Sequence, residues 1–425
     1  MRRFSLLLLL FLGVVAVQSQ TLEECRRLAR EHYPEIRQYD LIAQTEQYNL
    51  SNAARAWIPQ VVLSGQATYQ SATPTYPEVL NSIIAANGLE MSGIRKDQYK
   101  VVIDVTQNIW DGGQSAANRA LAEAEANEQR RQIDVNLYSL ESRVDDLYFG
   151  ILLLDERVAQ TIALIDVLNS NLSRMRAYYN NGVATQADVD AIEAELLTAQ
   201  QTLEQVKTSQ NSYRAMLELF IGQEITSEQL TRPEVTAVSQ MTSARPELAL
   251  FDARSSMLTA QRKALDTSIM PRFSAFAQGY YGYPGLDMFN SMVNAEWTLN
   301  AIVGVRMSWN IGAFYTRSNN IEKLNIAQRQ IDVQRDVFLF NTDIQATHDN
   351  GEIHRLHQAV ENDNRIVSLR RSVRMAAESK LENGVIDATD LLQKITDETT
   401  AMLNRSTHEI ELLQAVYRLK HTLNQ

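Results

Sequence analysis

The chain has 425 residues, 45% of them hydrophobic and 21% charged, enough for two or three ordinary domains. Its formal charge of −11 excludes a broad nucleic-acid-binding surface, because phosphate neutralisation needs a basic face. A single cysteine, Cys25, excludes an internal disulfide.

The chain opens with MRRFSLLLLLFLGVVAVQSQ. Arg2 and Arg3 precede an apolar run of roughly a dozen residues and then a polar stretch, the three-part layout of a secretory signal. Residues 1–20 are therefore expected to be a signal peptide, with cleavage within 18–21. Lipidation at Cys25 is disfavoured: Glu24 stands where a small residue is expected, and Cys25 lies well beyond the apolar run. After this segment no stretch approaches the ~18–20 apolar residues that a membrane helix needs. If the mature chain meets a membrane, it must do so as a closed barrel.

Residues 22–56 carry a helical pattern that Pro59 ends. The period then changes. Val61, Leu63, Ala67 and Tyr69 fall on one face, and Gln60, Ser64, Gln66 and Thr68 on the other, predicting a strand over about 60–70. A polar segment (71–97) leads to a second alternating run, about 98–109, with Tyr99, Val101, Ile103 and Val105 opposite Lys100, Asp104 and Thr106. The glycines of WDGGQ (110–114) predict a turn. A long helical stretch follows, with apolar residues from Ile133 through Val144, Ile151 and Leu168 to Tyr179 in steps of mostly 4 and 3, a coiled-coil seam. Gly182 stops it, and a return helix carrying Val189, Ile192, Leu196 and Leu217 ends near Gly222.

The layout then recurs. RPELALFDA (245–253) echoes YPEIRQYDL (33–41), and Pro271 ends a short helix as Pro59 did. Alternating runs follow at 272–283 and 297–310, the second with Trp297, Leu299, Ala301, Val303, Val305, Met307 and Trp309 on one face. A second long helix (about 316–381) reaches Gly384, and a last helix runs to the end. Asn-Gly-Val stands on one frame in YNNGVATQADV (179–189) and LENGVIDATDL (381–391). The chain is thus expected to be mainly α with a small β part. It reads as two repeats of helix–strand–strand–long helix–helix (21–222 and 245–425), with tip turns at 180–186 and 382–388 and a linker at 223–244.

Four strands cannot close a membrane barrel, whose known single-chain forms start at about eight. One face is nevertheless apolar, with aromatics near the strand ends (Tyr69, Tyr99, Tyr281, Trp297, Trp309), as membrane-interface girdles are. Three protomers sharing one barrel would supply about twelve strands, within the known range. The alternative is a secreted coiled-coil scaffold with a soluble β-domain, since alternating strands also build soluble sandwiches.

The sequence resembles the TolC-type outer-membrane efflux family. The resemblance is carried by TLEECRRLAREHYPEIR (21–37), NIWDGGQ (108–114), the twin NNGVATQADV and ENGVIDATDL tips, and the strand starts led by Pro59 and Pro271; it covers nearly the whole mature chain. It implies a homotrimer in which a twelve-stranded β-barrel in outer-membrane lipid continues as a twelve-helix periplasmic tunnel. It also implies docking to a periplasmic adaptor and an inner-membrane pump, and a passive exit duct rather than an enzyme. The twin turns then become the periplasmic tips. Asn181, Gly182, Val183, Ala184, Thr185, Asn383, Gly384, Val385 and Ile386 become candidate adaptor contacts; Asn-Gly as a simple helix stop is the other reading. Asp188 and Asp390 match acidic gate positions, where a ring of carboxylates would favour cations. Leu381 and Ile386 stand where the best-known members carry a gate Tyr and Arg, and Gln393 replaces a second acid, so Arg174, Arg176, Arg370, Arg371 and Arg374 are candidate substitutes for the lock.

Other chemistry finds little footing. His348, His354 and His357 read as ordinary helix positions rather than metal ligands. Phosphate loops, metalloprotease helices and nucleophile elbows are missing from the sequence, and no cofactor is expected.

Overall fold

The computed structural model describes residues 20–88, 93–225, 230–234 and 243–424. The expected signal peptide, Gln20 apart, lies outside them, as do 226–229 and 235–242 of the expected linker. Pro34 divides the helix expected over 22–56. Helix α1 runs Leu22–His32, Tyr33 adopts extended backbone, Pro34–Arg37 form a 3-10 turn, and α2 spans Gln38–Arg55. The reason is local: a residue before proline is pushed out of the helical region.

Strand β1 (Gln60–Tyr69) and β2 (Asp97–Trp110) follow, separated by α3 (Glu78–Ala86) inside the segment expected to be polar loop. Next come α4 (Gln114–Asn180), α5 (Gln186–Ile221), α6 (Pro246–Thr267) and β3 (Arg272–Tyr283). A short helix α7 (Met288–Val293) precedes β4 (Thr298–Ser308), then α8 (Ala313–Glu382) and α9 (Ala388–Leu423). Strand β4 is shorter at both ends than the expected 297–310, so Trp297 and Trp309 flank it. Both short helices lie in segments where turn residues hid brief apolar runs, Val79-Leu80 and Ile83-Ile84 in α3 and Met288-Phe289 in α7.

The chain forms two compact units. One comprises Tyr39–Arg130 and Leu250–Val333 and contains the sheet. Its four strands are antiparallel in the order β1-β2-β3-β4, which leaves β1 and β4 with one neighbour each. The WDGGQ turn links β2 to α4. The buried Asp111 carboxylate accepts hydrogen bonds from the Gly113 amide (2.9 Å), the Ser115 amide (2.7 Å) and the Ser115 hydroxyl. Burial alone would raise its pKa, but these donors outweigh burial and hold it below the ordinary carboxylate value. Gly112 has φ +70, and a Cβ there would lie 2.7 Å from the Met270 Cβ and 3.2 Å from the Pro271 carbonyl oxygen. Only glycine combines that backbone with that approach.

The other unit comprises Met1–Gln38, Arg131–Ala249 and Gln334–Gln425 and is helical. Its largest core gathers Leu22, Cys25 and Ala29 of α1 with Val144, Tyr148, Phe149 and Ile151 of α4, Leu217 and Ile221 of α5, and Ile410, Leu413 and Tyr417 of α9. Fully burying one such side chain is worth about 1.5–3 kcal/mol, so this cluster dominates the unit's packing. Burial pushes the Cys25 thiol up to about 12, which keeps it neutral and inert. Beside it, the Arg26 guanidinium forks onto Asp145 at 2.7 and 2.6 Å. A second core near the helix tips holds Leu168, Leu172 and Met175 of the expected seam with Val189, Ile192 and Leu196.

Substituting Gly112→Ala is expected to lower stability by about 2 kcal/mol or more, from left-handed backbone strain plus the clash with Met270 and Pro271. Thermal unfolding of the detergent-solubilised protein measures it. Asp111→Asn is expected to cost about 1–2 kcal/mol at neutral pH. A depressed folded pKa stabilises above the unfolded value, so wild type should lose this advantage as the pH falls below the ordinary carboxylate range, and the two proteins should converge there.

Candidate membrane-facing and tip sites

Register and alternation bring the apolar residues of the four strands into rows. Val61, Val105, Ala277 and Val303 form one; Leu63, Ile103, Gly279 and Ala301 a second; Gly65, Val101, Tyr281 and Leu299 a third. These rows share one face, and an apolar groove of about 390 Å³ runs over their β2, β3 and β4 members. They are open to the surroundings: Leu63 is 69% exposed, Val303 78% and Leu299 82%. A water-facing sheet would carry polar side chains there, so this exposed apolar face calls for a covering.

The five aromatics singled out from the sequence divide between the two ends of the sheet. At one end Trp297 stacks on Tyr99 (centroids 6.3 Å, 12°) and tilts against Tyr281 (5.4 Å). Tyr69, exposed, closes β1 at that end, opposite Asp97. At the other end the Trp309 indole donates to the Ile269 carbonyl (2.9 Å) and meets Phe314 edge-on. Trp110 and Phe273 pair there as well, at 5.9 Å. Sequence reading missed those two because Trp110 was assigned to the turn and Phe273 breaks no alternation. The opposite face of the sheet is polar, with Gln66, Lys100, Asp104, Gln278, Asn300 and Arg306.

The two tips have the same turn. In the first, the Gly182 amide donates to Tyr179 and the Val183 amide reaches back to the Tyr178 carbonyl (2.9 Å); in the second, Gly384 donates to Leu381 and Val385 to Lys380 (2.9 Å). Both glycines have positive φ, +75 and +66. That pattern of bonds is the left-handed helix stop that glycine favours. Asn181 and Asn383 bond the carbonyls of Ala177 and Ser379, each one turn earlier. The four apolar tip residues part company. Val183 and Val385 are 72% and 67% exposed. Ala184 and Ile386 pack on the tip core beside Val189 and Leu391, the staple position just ahead of each helix cap.

Asp188 and Asp390 occupy equivalent positions with different partners. Thr185 caps α5, and the Asp188 carboxylate accepts from the Thr185 amide (2.9 Å) and hydroxyl (2.6 Å), a reciprocal capping box. In α9 the cap is Asp387, whose carboxylate accepts from the Asp390 amide (2.8 Å). Leu381 is buried in the tip core. The candidate lock arginines all pair with other carboxylates: Arg174 with Glu382 (3.2 Å), Arg176 with Glu193 (2.9 Å), Arg370 with Asp397 (2.8 Å), and Arg371 and Arg374 with Glu398. The Gln393 amide donates to Asp397. Among the described residues, no group of three or more His, Cys, Asp and Glu is placed to hold a metal ion, and no helix is long and apolar enough to cross a membrane.

In chain order each pair of strands is followed by a long helical hairpin, a fold shared with solved outer-membrane channels. The chain matches the channel VceC from Vibrio cholerae at 14% identity, covering 95% of each chain, with a TM-score of 0.65. It matches the Campylobacter jejuni CmeC channel at 10% identity over 95% of this chain and 85% of that one, TM-score 0.65. The open-state MtrE channel of Neisseria gonorrhoeae matches at 13% identity over 95% and 88%, TM-score 0.65. No curated protein matches the chain. Residues 26–223 match the model of the outer membrane efflux protein family. This match and the shared fold agree with the resemblance to TolC-type proteins.

The unequal capping makes the tips separable by experiment. Asp188→Ala is expected to cost about 1 kcal/mol locally and to speed amide exchange over residues 186–190 about fivefold. Asp390→Ala leaves the Asp387 cap in place and should change exchange over 388–392 less. Equal effects at both tips would contradict this assignment.

Proposed function

We propose that the chain is one protomer of a trimeric outer-membrane exit duct of an efflux or type I secretion system. The observation that carries the reading is the sheet: one face exposes three apolar rows, and among the described residues both edge strands lack a second partner. Unpaired backbone groups cannot lie in hydrocarbon, so β1 of one copy must pair with β4 of the next until the barrel closes. Three copies make about twelve strands, the number that the family resemblance implies.

Helix α8 supports the same assembly. Val333, Val337, Phe340 and Ile344 follow steps of 4, 3 and 4 and are 53–66% exposed. That is a coiled-coil seam without a partner among the described residues, and a neighbouring protomer is the occupant we assign to it. The helical hairpins then form a periplasmic tunnel, and transport through it is passive, driven by an inner-membrane pump. Val183 and Val385, exposed at the two tips, are the apolar contacts for a periplasmic adaptor. Asp188 and Asp390 line the entrance. Because Asp188 is tied into its capping box, an opening movement of the tip keeps this acid fixed to the start of α5. Leu381 packs in the core and takes no part in a lock.

The duct reading predicts that the protein fractionates with the outer membrane and needs detergent. It also predicts a solubilised particle with the mass of three chains and conductance in planar bilayers. Val183→Asp with Val385→Asp should leave assembly and conductance intact and abolish adaptor capture. A folded monomer, soluble in plain buffer, would return the chain to the scaffold alternative.

A further inference from the structure

The polar face of the sheet is not evenly charged. By register it carries Lys100, Arg272 and Arg306 against a single carboxylate, Asp104. Asp104 is half-buried and accepts the Gln278 amide at 2.7 Å, which draws off part of its acceptor capacity. The three cations are exposed. The Arg306 guanidinium lies 4.7 Å from the Phe276 ring centroid, and a face of Phe276 leaves the charge in place while fixing its position. Gly304 makes room for that ring: a Cβ there would come within 2.9 Å of it.

Lys100 stands in a concavity of about 460 Å³ on this same face. Its lining includes the side-chain amides of Gln66 and Gln98, while the Gln278 amide is given to Asp104 and the Tyr280 hydroxyl to the Pro284 carbonyl; no carboxylate among the described residues lines it. An ammonium group surrounded by neutral donors is the arrangement that receives carboxylate, phosphate or sulfonate groups. The chain as a whole is acidic, at −11, so an excess of cations on this one face runs against the average.

We infer that the polar face of the sheet is an anion-attracting surface of the barrel, opposite in sign to the entrance, where Asp188 and Asp390 would favour cations. The inference rests on the duct reading, which turns this face toward the lumen. Repeated around a barrel, the excess of fixed cations would raise the local concentration of anions and deplete cations. At about 0.1 M salt the Debye length is about 10 Å, so each fixed cation acts on ions that pass close to its own stave.

The test is the reversal potential of the reconstituted protein in a planar bilayer under a KCl gradient near 0.1 M. Lys100→Gln with Arg306→Gln should shift the chloride-to-potassium permeability ratio at least about twofold toward potassium. Asp104→Asn, nearly isosteric, should shift it toward chloride, and it provides an independent reading should the double variant fail to assemble. A conducting channel whose ratio is unmoved by these substitutions would overturn the anion surface and leave the duct standing. Absence of any conductance would overturn the duct, and the anion surface with it.

Discussion

A β-strand edge in hydrocarbon has nowhere to place its amide and carbonyl groups. That constraint organises this protein. The sheet has four strands and two open edges, and the face that would meet lipid is built of exposed Val, Leu and Ile in register. In water such a face would need a covering layer, and each residue left bare would forgo about 1.5–3 kcal/mol of burial. In lipid the face is already satisfied, and the edges become the problem. The proposed barrel, shared among copies, would answer both at once. The exposed seam on α8 poses the same question for the helices, and in the proposed assembly a neighbouring copy would answer it there too.

The helical unit shows how one turn, written twice, can be used in two ways. Both tips stop a long helix with Asn-Gly and start the next with a side-chain cap three residues on. The first uses threonine as cap and recruits Asp188; the second uses an aspartate as cap, so Asp390 contributes only its amide. A family-level expectation that both acids serve a gate meets a local requirement at one of them. The arginines tell a similar story. Those available to lock the tips are paired with Glu382, Glu193, Asp397 and Glu398, and these pairs join helices within one chain.

Much of the architecture was legible because period and punctuation agree. Strand faces followed from strict alternation, which survives any local error in bounds. The long helices followed from sustained heptads and from the lack of internal proline. The failures are equally local. Pro34 was overlooked beside the stronger signal of Pro59, although the rule is the same for both. Helices α3 and α7 are short and sit among turn residues, where periodicity has too few repeats to register. At the sites, the aromatic positions of the sheet could be anticipated from their place at strand ends, but the Trp110–Phe273 pair depends on a register across β2 and β3 that only pairing supplies.

By itself the sequence determined the order of elements, the two faces of each strand and the position of both tips, because these depend on contacts between near neighbours along the chain. Tertiary structure alone decided which apolar tip residues pack inward and which cations gather on one face of the sheet. Those properties arise where segments distant in sequence meet. A side chain's environment is set by what packs across from it, and a single strand or helix does not carry that information.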